Sequence, residues 1–206
     1  MLVHQFVHQL NNTELGRTGT HDCYAYVSRD SSVLLRSFLK VSSHYTFVYK
    51  RDSSVFGKLF YTHTTTGEYR ISGCKRFFDA GNVNAGDCIV IERAGENYWV
   101  DFITRTDIIV FNKVKAGWQC RNEDRLTRYL NSTVQVYCND KLGSLVVKYE
   151  TTVKKRTQTV RVYSLSFDGF SISEGDMYNL FVVGGVCCLT PGFKDKVMSI
   201  ERNDYE

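Results

Sequence analysis

Short apolar or alternating runs, separated by glycine- and asparagine-rich turns, dominate this chain of 206 residues. Such runs are typical of half-buried β-strands. No long stretch of helical periodicity lies between them, which favours a barrel or a sandwich over an α/β fold. The candidate strands are Tyr24–Val27, Tyr45–Tyr49, Leu59–His63, Cys88–Arg93, Tyr98–Thr104, Ile108–Asn112, Thr133–Cys138, Leu145–Tyr149, Thr157–Ser166 and Leu180–Val183. We therefore predict a mainly β fold.

Two segments have helical character. Ser31–Leu39 is the better candidate, with Ser31 or Ser32 as its N-cap. Its predicted core side consists of Val33, Leu34 and Phe38, with Leu35 as a further candidate. Arg121–Leu130 is a second, highly charged candidate. A composition break near residues 104–106 predicts a first domain over 1–106 and a β-rich second half over 107–206, which is either an extension or a separate domain.

The bulk composition limits the class of protein. A hydrophobic content of 43% with 23% charged residues indicates a globular chain, and the net charge of +4 is compatible with a polyanionic partner. The seven cysteines are widely spaced and include no CxxC pair, which argues against a zinc ribbon and for free thiols in a reducing cytosol. The N-terminus lacks a signal-peptide pattern, and no apolar run is long enough to span a membrane. We expect a cytoplasmic protein without a membrane partner or a small-molecule substrate.

Two segments are candidates for contacts with nucleic acid. The first is Thr13–Val27, where glycines allow a close approach to a phosphate backbone and threonine hydroxyls supply neutral donors. Its candidate contacts are Arg17, Thr18, Thr20, His21 and Tyr26. The second is Gly57–Gly73, in which an arginine can grip a guanine and a glutamate can accept from a cytosine amine. Its candidate contacts are Lys58, Thr64, Thr66, Glu68, Tyr69, Arg70 and Ser72. Taken singly, the first segment is also compatible with an ordinary turn, and the second with a solvated hairpin.

Together these segments resemble the two recognition arms of the DNA-recognition domain of EcoRII-type restriction endonucleases, a B3-like DNA-binding pseudobarrel. The resemblance is carried by Thr18-Gly19-Thr20-His21 with Tyr26 five residues later, and by Gly67-Glu68-Tyr69-Arg70-Ile71-Ser72. It covers roughly residues 5–105. It implies that two arms clasp the major groove of double-stranded DNA, with Arg17, His21, Tyr26, Glu68 and Arg70 in contact. Gly67 replaces the asparagine of the family pattern, so the recognised base sequence is expected to differ.

The second half contains one further candidate. Arg121–Arg128 repeats the second-arm pattern and adds Arg121, Asn122 and Arg125 as possible DNA contacts. The alternative is a charged helix whose arginines and glutamate pair at helical spacing on a solvated face.

No catalytic motif is recognisable. The nearest approach to a Mg²⁺-dependent nuclease site is Asp140 followed by Lys148-Tyr149-Glu150, but Thr152 occupies the position of the required lysine. We therefore predict a sequence-specific DNA-binding part of a restriction system, partnered by DNA and a nuclease domain or subunit, without a cofactor for binding. Two alternatives remain open. One is a complete small Type II restriction endonuclease with a Mg²⁺ site in 107–206, and the other is a β-rich structural or protein-interaction domain.

Overall fold

The computed structural model describes residues 1–17, 22–138, 141–155, 158–169, 177–192 and 195–201. Up to residue 104 the elements are β1 (Leu2–Gln9), β2 (Tyr24–Val27), α1 (Arg29–Leu35), β3 (Ser43–Tyr49), β4 (Asp52–His63), β5 (Tyr69–Ser72), α2 (Lys75–Ala80), β6 (Cys88–Ala94) and β7 (Asn97–Ile103). The later elements are β8 (Ile109–Val114), β9 (Gly117–Arg121), α3 (Glu123–Leu126), β10 (Thr133–Cys138), β11 (Lys141–Lys155), β12 (Gln158–Asp168), β13 (Met177–Val183), β14 (Val186–Pro191) and β15 (Lys196–Glu201). The predictions of a mainly β fold, short helices and a β-rich second half are confirmed.

Two compact units divide the chain. The first comprises Met1–Thr104 together with β15, and the second comprises Arg105–Gly192. The first break lies close to the expected boundary at residue 106. Strand β15 differs from the expectation, because it pairs with β1 along Leu2–Val7 and so returns to the first unit. The first unit is therefore discontinuous in sequence.

The first unit is a curled eight-stranded sheet in the order β15-β1-β6-β7-β3-β4-β5-β2. Its neighbouring strands are antiparallel except β3 and β7, which are parallel. Alternation along β3 and β4 places Phe47, Leu59 and Tyr61 in the core, where they are almost completely buried. The intervening residues point outward, as expected for a sheet with one buried face.

The second unit is a closed seven-stranded barrel in the order β10-β11-β12-β9-β8-β13-β14. Its core is built from inward side chains such as Phe111, Leu145, Tyr163 and Leu180. Closure of the barrel brings β10 beside β14 as a parallel pair. Within the described ranges, no helix has the length and the apolar character needed to cross a bilayer.

Helix α1 differs from its prediction in both cap and orientation. It begins at Arg29, and the side chain of Ser28, rather than Ser31 or Ser32, caps it by accepting from Ser31 N at 3.2 Å. The earlier start turns the helix so that Ser31, Ser32 and Leu35 are buried. The predicted core residues Val33 and Leu34 are instead 63% and 56% exposed, whereas Phe38 is buried as predicted.

Candidate nucleic-acid interface

The outward residues of four adjacent strands form one continuous polar and aromatic surface. Cross-strand register aligns Tyr26 with Arg70 and Arg70 with Thr62, and it aligns Lys58 with Thr46. We call this surface the outer strand face, made of Tyr24, Tyr26, His44, Thr46, Lys58, Phe60, Thr62, Arg70 and Ser72. The alternate residues of the same strands, such as Ala25 and Ile71, are buried in the core. The sheet thus fixes the spacing of every side chain on this face.

Arg70 is the most constrained side chain of the outer strand face. Its Nε and Nη2 both donate to Oε2 of Glu68, with the Nε bond at 3.0 Å. Its guanidinium also lies over the ring of Tyr24, with Cζ 4.2 Å from the ring centroid. Nη1 has no hydrogen-bond partner among the described residues. The guanidinium of Arg70 is therefore held in a fixed orientation, and its Nη1 edge is available for a further hydrogen bond.

The second arm is the hairpin that joins β4 to β5. Its turn is closed by bonds from Thr64 N to Glu68 O at 2.7 Å and from Gly67 N to Thr64 O at 3.0 Å. Gly67 has φ +85°, which a residue without a Cβ adopts at little cost. The hydroxyl of Thr64 bonds to that of Thr66 at 2.8 Å and accepts from Glu68 N at 3.0 Å. The predicted contacts Thr64 and Thr66 thus lie at the tip of the arm and order it.

Tyr69 does not share a face with Arg70. Because consecutive strand residues point to opposite faces, Tyr69 lies on the core side, where it packs against the core of the first unit. Its ring stacks on His63 with the centroids 4.4 Å apart. Of the predicted second-arm contacts, the outer strand face brings together Lys58, Arg70 and Ser72, with Glu68 as the partner of Arg70, and it leaves out Tyr69.

The described part of the first arm is anchored to the first unit. Asn11 Oδ1 accepts from the backbone N–H groups of Thr13 and Glu14, at 2.9 and 3.0 Å. Arg17 donates to the carbonyl of Val83 at 2.9 Å and to Asn84 Oδ1 at 3.3 Å. The guanidinium of Arg17 is thus used to fix the loop. The predicted contacts Thr18, Thr20 and His21 lie outside the described residues, whereas Tyr26 is 39% exposed on the outer strand face.

A buried cluster of three titratable residues joins the ends of the curled sheet. His8 on β1 contacts Glu14 Oε1 through Nε2 at 2.6 Å and Asp195 Oδ1 through Nδ1 at 3.1 Å. Glu14 Oε1 also accepts from Tyr26 N at 2.7 Å, and Asp195 Oδ2 accepts from Ser28 N at 2.6 Å. We call His8, Glu14 and Asp195 the clasp. It links β1, the first arm, β2 and the segment before β15 through side chains, where no strand pairing connects β1 to β2.

The clasp holds a positive charge on His8. Burial alone disfavours the charged ring, but the adjacent carboxylates of Glu14 and Asp195 outweigh it and raise the pKa of His8 from 6.5 to about 9. Desolvation of the Asp195 carboxyl is likewise outweighed by its bond with His8, and the pKa of Asp195 is lowered. Both ring nitrogens of the protonated His8 can therefore donate.

The raised pKa predicts a specific dependence of stability on pH. A group whose pKa is higher in the folded state stabilises the protein fully below its unfolded value, and this contribution is lost as the pH rises through the folded value. We expect the free energy of unfolding to fall between pH 6.5 and about 9 because of His8. Urea unfolding across this interval measures the fall, and the variant His8→Gln should lack that part of it. An equal pH dependence in both proteins would contradict a charged His8.

The predicted contacts of the second half belong to the second unit. Asn122 has φ +61°, and its side-chain amide donates to the carbonyl of Arg105 at 3.1 Å and to that of Ile108. The side chain of Asn122 thus closes a turn. Arg121 is half-buried in β9, and Arg125 is exposed on α3. The charged helix predicted over Arg121–Leu130 consists of α3 followed by a 3₁₀-helix over Thr127–Tyr129.

The cysteines and acidic residues offer little for catalysis or metal binding. All seven cysteines lie within the described residues and none forms a disulfide, and Cys74, Cys88 and Cys138 are buried. In the portion of the chain that the structure describes, no group of three or more His, Cys, Asp or Glu side chains is placed to hold a metal ion. The Glu150 carboxylate accepts from the hydroxyl of Ser164, and Asp140 lies outside the described residues.

Five residues of the outer strand face were not predicted as DNA contacts from the sequence: Tyr24, His44, Thr46, Phe60 and Thr62. Phe60 and Thr62 follow from the alternation of β4 once Lys58 is placed outward. His44 stacks on Phe60 with the centroids 4.4 Å apart, which depends on the register between β3 and β4. The alternation of β4 can be seen in the sequence, but the register between β3 and β4 cannot.

No protein-family model matches this chain, and no curated protein matches it in sequence.

Proposed function

We propose that the first unit binds double-stranded DNA in the major groove, reading base edges through Arg70 and its neighbours on the outer strand face. In this proposal it is the DNA-recognition part of a restriction endonuclease system in the cytoplasm. The likeness of its two arms to the B3-like pseudobarrel of EcoRII-type enzymes supports the assignment. The B3-like family assignment is part of the same proposal.

The observation that carries the proposal is the geometry of Arg70. An arginine reads guanine through two parallel hydrogen bonds, which requires a guanidinium that is already oriented. The bonds to Glu68 and the contact with the Tyr24 ring supply that orientation. A carboxylate near phosphates is unfavourable unless it orients a base-reading residue or accepts from a base itself. Glu68 meets the first condition through its contact with Arg70.

The surroundings of Arg70 also suit a groove. Strands β4 and β5 are flanked by β3 and β2, and the Thr64–Glu68 turn that joins them is the part of the second arm that lies beyond this four-stranded ladder. Beside Arg70, the outer strand face presents the exposed Tyr26 and Lys58 together with the hydroxyl of Thr62. Lysine can neutralise a phosphate, and hydroxyl groups donate to phosphate oxygens without adding charge. The face therefore combines groups for positioning on the backbone with one group for reading bases.

Selection from a randomised duplex pool tests the proposal. We expect the purified protein at near-physiological salt to enrich a short motif, and the affinity for that motif to fall linearly with the logarithm of the salt concentration. Absence of any bound duplex at low salt would contradict the proposal and favour a structural or protein-interaction domain. Incubation of a plasmid with the protein and Mg²⁺ is the companion measurement, because discrete fragments would identify a complete endonuclease.

A further inference from the structure

A surface cavity of about 450 Å³, open to solvent, lies on the core side of the second arm. It is lined by Arg36, Lys40, Val41, His63 and Tyr69. Its volume falls within the range of about 300–1,000 Å³ that is common for small-ligand sites. Since Tyr69 and Arg70 are consecutive residues of β5, the cavity and the outer strand face lie on opposite faces of the same hairpin. A ligand in this cavity would therefore not compete for Arg70. The cavity lies at the last register pair of the hairpin, His63–Tyr69, beside the Thr64–Glu68 turn.

Both walls of the cavity are fixed by the fold. His63 and Tyr69 are the last register pair of the β4–β5 ladder, and their rings are nearly parallel with an interplanar angle of 24°. The opposite wall, residues 36–42, is tied to the sheet by a bond from Ser42 N to Tyr61 O at 2.7 Å. Lys40 N donates to the hydroxyl of Tyr45 at 2.7 Å. The aromatic wall and the segment that carries the two cations are thus held in place before any ligand binds.

The charge of the cavity is positive and not neutralised. Arg36 and Lys40 are exposed, and neither forms an ion pair with any residue that the structure describes. Among the residues that the structure describes, no acidic side chain lines the cavity. A stacked aromatic pair beside two cations complements a ligand with a flat ring and a phosphate. Nucleotides have this chemistry, and sequence-tolerant sites for single-stranded nucleic acid combine the same two elements.

We propose that this cavity binds one unstacked nucleotide of the DNA held by the first unit. The base packs against the rings of Tyr69 and His63, and the adjacent phosphate is bound by Arg36 and Lys40. The inference rests on the proposed function, because the nucleotide belongs to the duplex that the outer strand face binds. An unpaired or mismatched base costs least to extract from a duplex, so such sites should bind most tightly.

Two labelled duplexes of the same sequence test the proposal with the intact chain. One is fully paired, and the other contains a single bulged 2-aminopurine nucleotide. We expect about tenfold tighter binding of the bulged duplex, together with quenching of 2-aminopurine fluorescence by the aromatic wall. The double variant Arg36→Gln/Lys40→Gln and the variant Tyr69→Ala should lose the preference for the bulge. If Tyr69→Ala disturbs folding, the variant His63→Ala provides the same test at an exposed position.

The matched control is Lys58→Gln, which removes a cation from the opposite face of the hairpin. It should weaken binding of both duplexes equally and leave their ratio unchanged. Equal affinity of the native protein for the two duplexes would overturn the nucleotide site while leaving the proposed function intact. A bulge preference that survives the cavity variants would trace to duplex flexibility and would also overturn the site. Failure to bind either duplex at low salt would contradict the proposed function, and this inference with it.

Discussion

Replacement of His8 by glutamine is expected to lower the free energy of unfolding by about 3–5 kcal/mol. The substitution removes the cation between Glu14 and Asp195 and leaves two buried carboxylates, with side chains only 2% and 5% exposed, facing a neutral group. A buried charge that loses its partner costs far more than the loss of an exposed ion pair. Urea denaturation near pH 6 measures the effect, because His8 is fully charged there in the folded state.

His4→Gln is the matched control for this prediction. His4 lies on the same strand, and among the described residues it hydrogen-bonds through Nδ1 to the hydroxyl of Ser199 at 2.9 Å and has no carboxylate partner. We expect a change of less than about 1 kcal/mol for its loss. Neutralising the clasp as a whole, with His8→Gln, Glu14→Gln and Asp195→Asn together, should recover part of the lost stability. A cost of His8→Gln no larger than that of His4→Gln would mean that the clasp does not close the sheet.

Replacement of Arg70 by alanine is expected to relax sequence preference at one base position, at a cost of about 1–3 kcal/mol in binding the enriched motif. Binding to unrelated duplexes should change little, because an arginine that reads a base contributes mainly to discrimination. Arg70→Lys should behave almost like alanine, since an ammonium group cannot form two parallel bonds to guanine. Competition binding between the enriched motif and its single-base variants measures the discrimination directly.

Arg51→Ala provides the control for Arg70→Ala. Arg51 is also an arginine paired with a carboxylate, with Nε 2.7 Å from Asp101 Oδ1, but it lies at the turn between β3 and β4, at the other end of β4. Its loss should leave the ranking of the duplexes unchanged. If Arg70→Ala also preserves the full base preference, Arg70 does not read a base and the second arm has another role.

Alternation of side chains predicts those parts of the fold in which one face of a strand is buried and the other is not. Strand β3 shows this, because Phe47 and Tyr49 are buried while His44 and Thr46 are exposed. Strand β1 was missed because it buries His8 and Gln9 beside apolar residues. Their partners, Glu14 and the carbonyl of Gly86, satisfy these polar groups, and sequence alone does not reveal distant partners. The alternation pattern of a single strand therefore cannot predict which of its polar side chains are buried against such partners.

The residues of the candidate site also divide into those that a local sequence pattern predicts and those whose contacts depend on distant parts of the chain. The Glu68–Arg70 pair and Tyr26 were predicted because they lie close together in sequence or within a local motif. The stacking of Arg70 on Tyr24 depends on the register between β2 and β5, which no local pattern specifies. Asn122 was predicted as a DNA contact from its neighbours in sequence. Its left-handed backbone and the carbonyls that it binds give it a structural role that the sequence pattern did not predict.

The return of β15 to the first unit affects the order in which the protein can fold during synthesis. The ribosome completes β7, then the whole second unit, and only then Asp195 and the strand that pairs with β1. The second unit is continuous in sequence and can close its barrel as soon as it emerges. Until then His8 faces Glu14 alone and the outer edge of β1 remains unpaired, which exposes a template for association with other chains. Of the two units, the one whose synthesis begins first is therefore completed last.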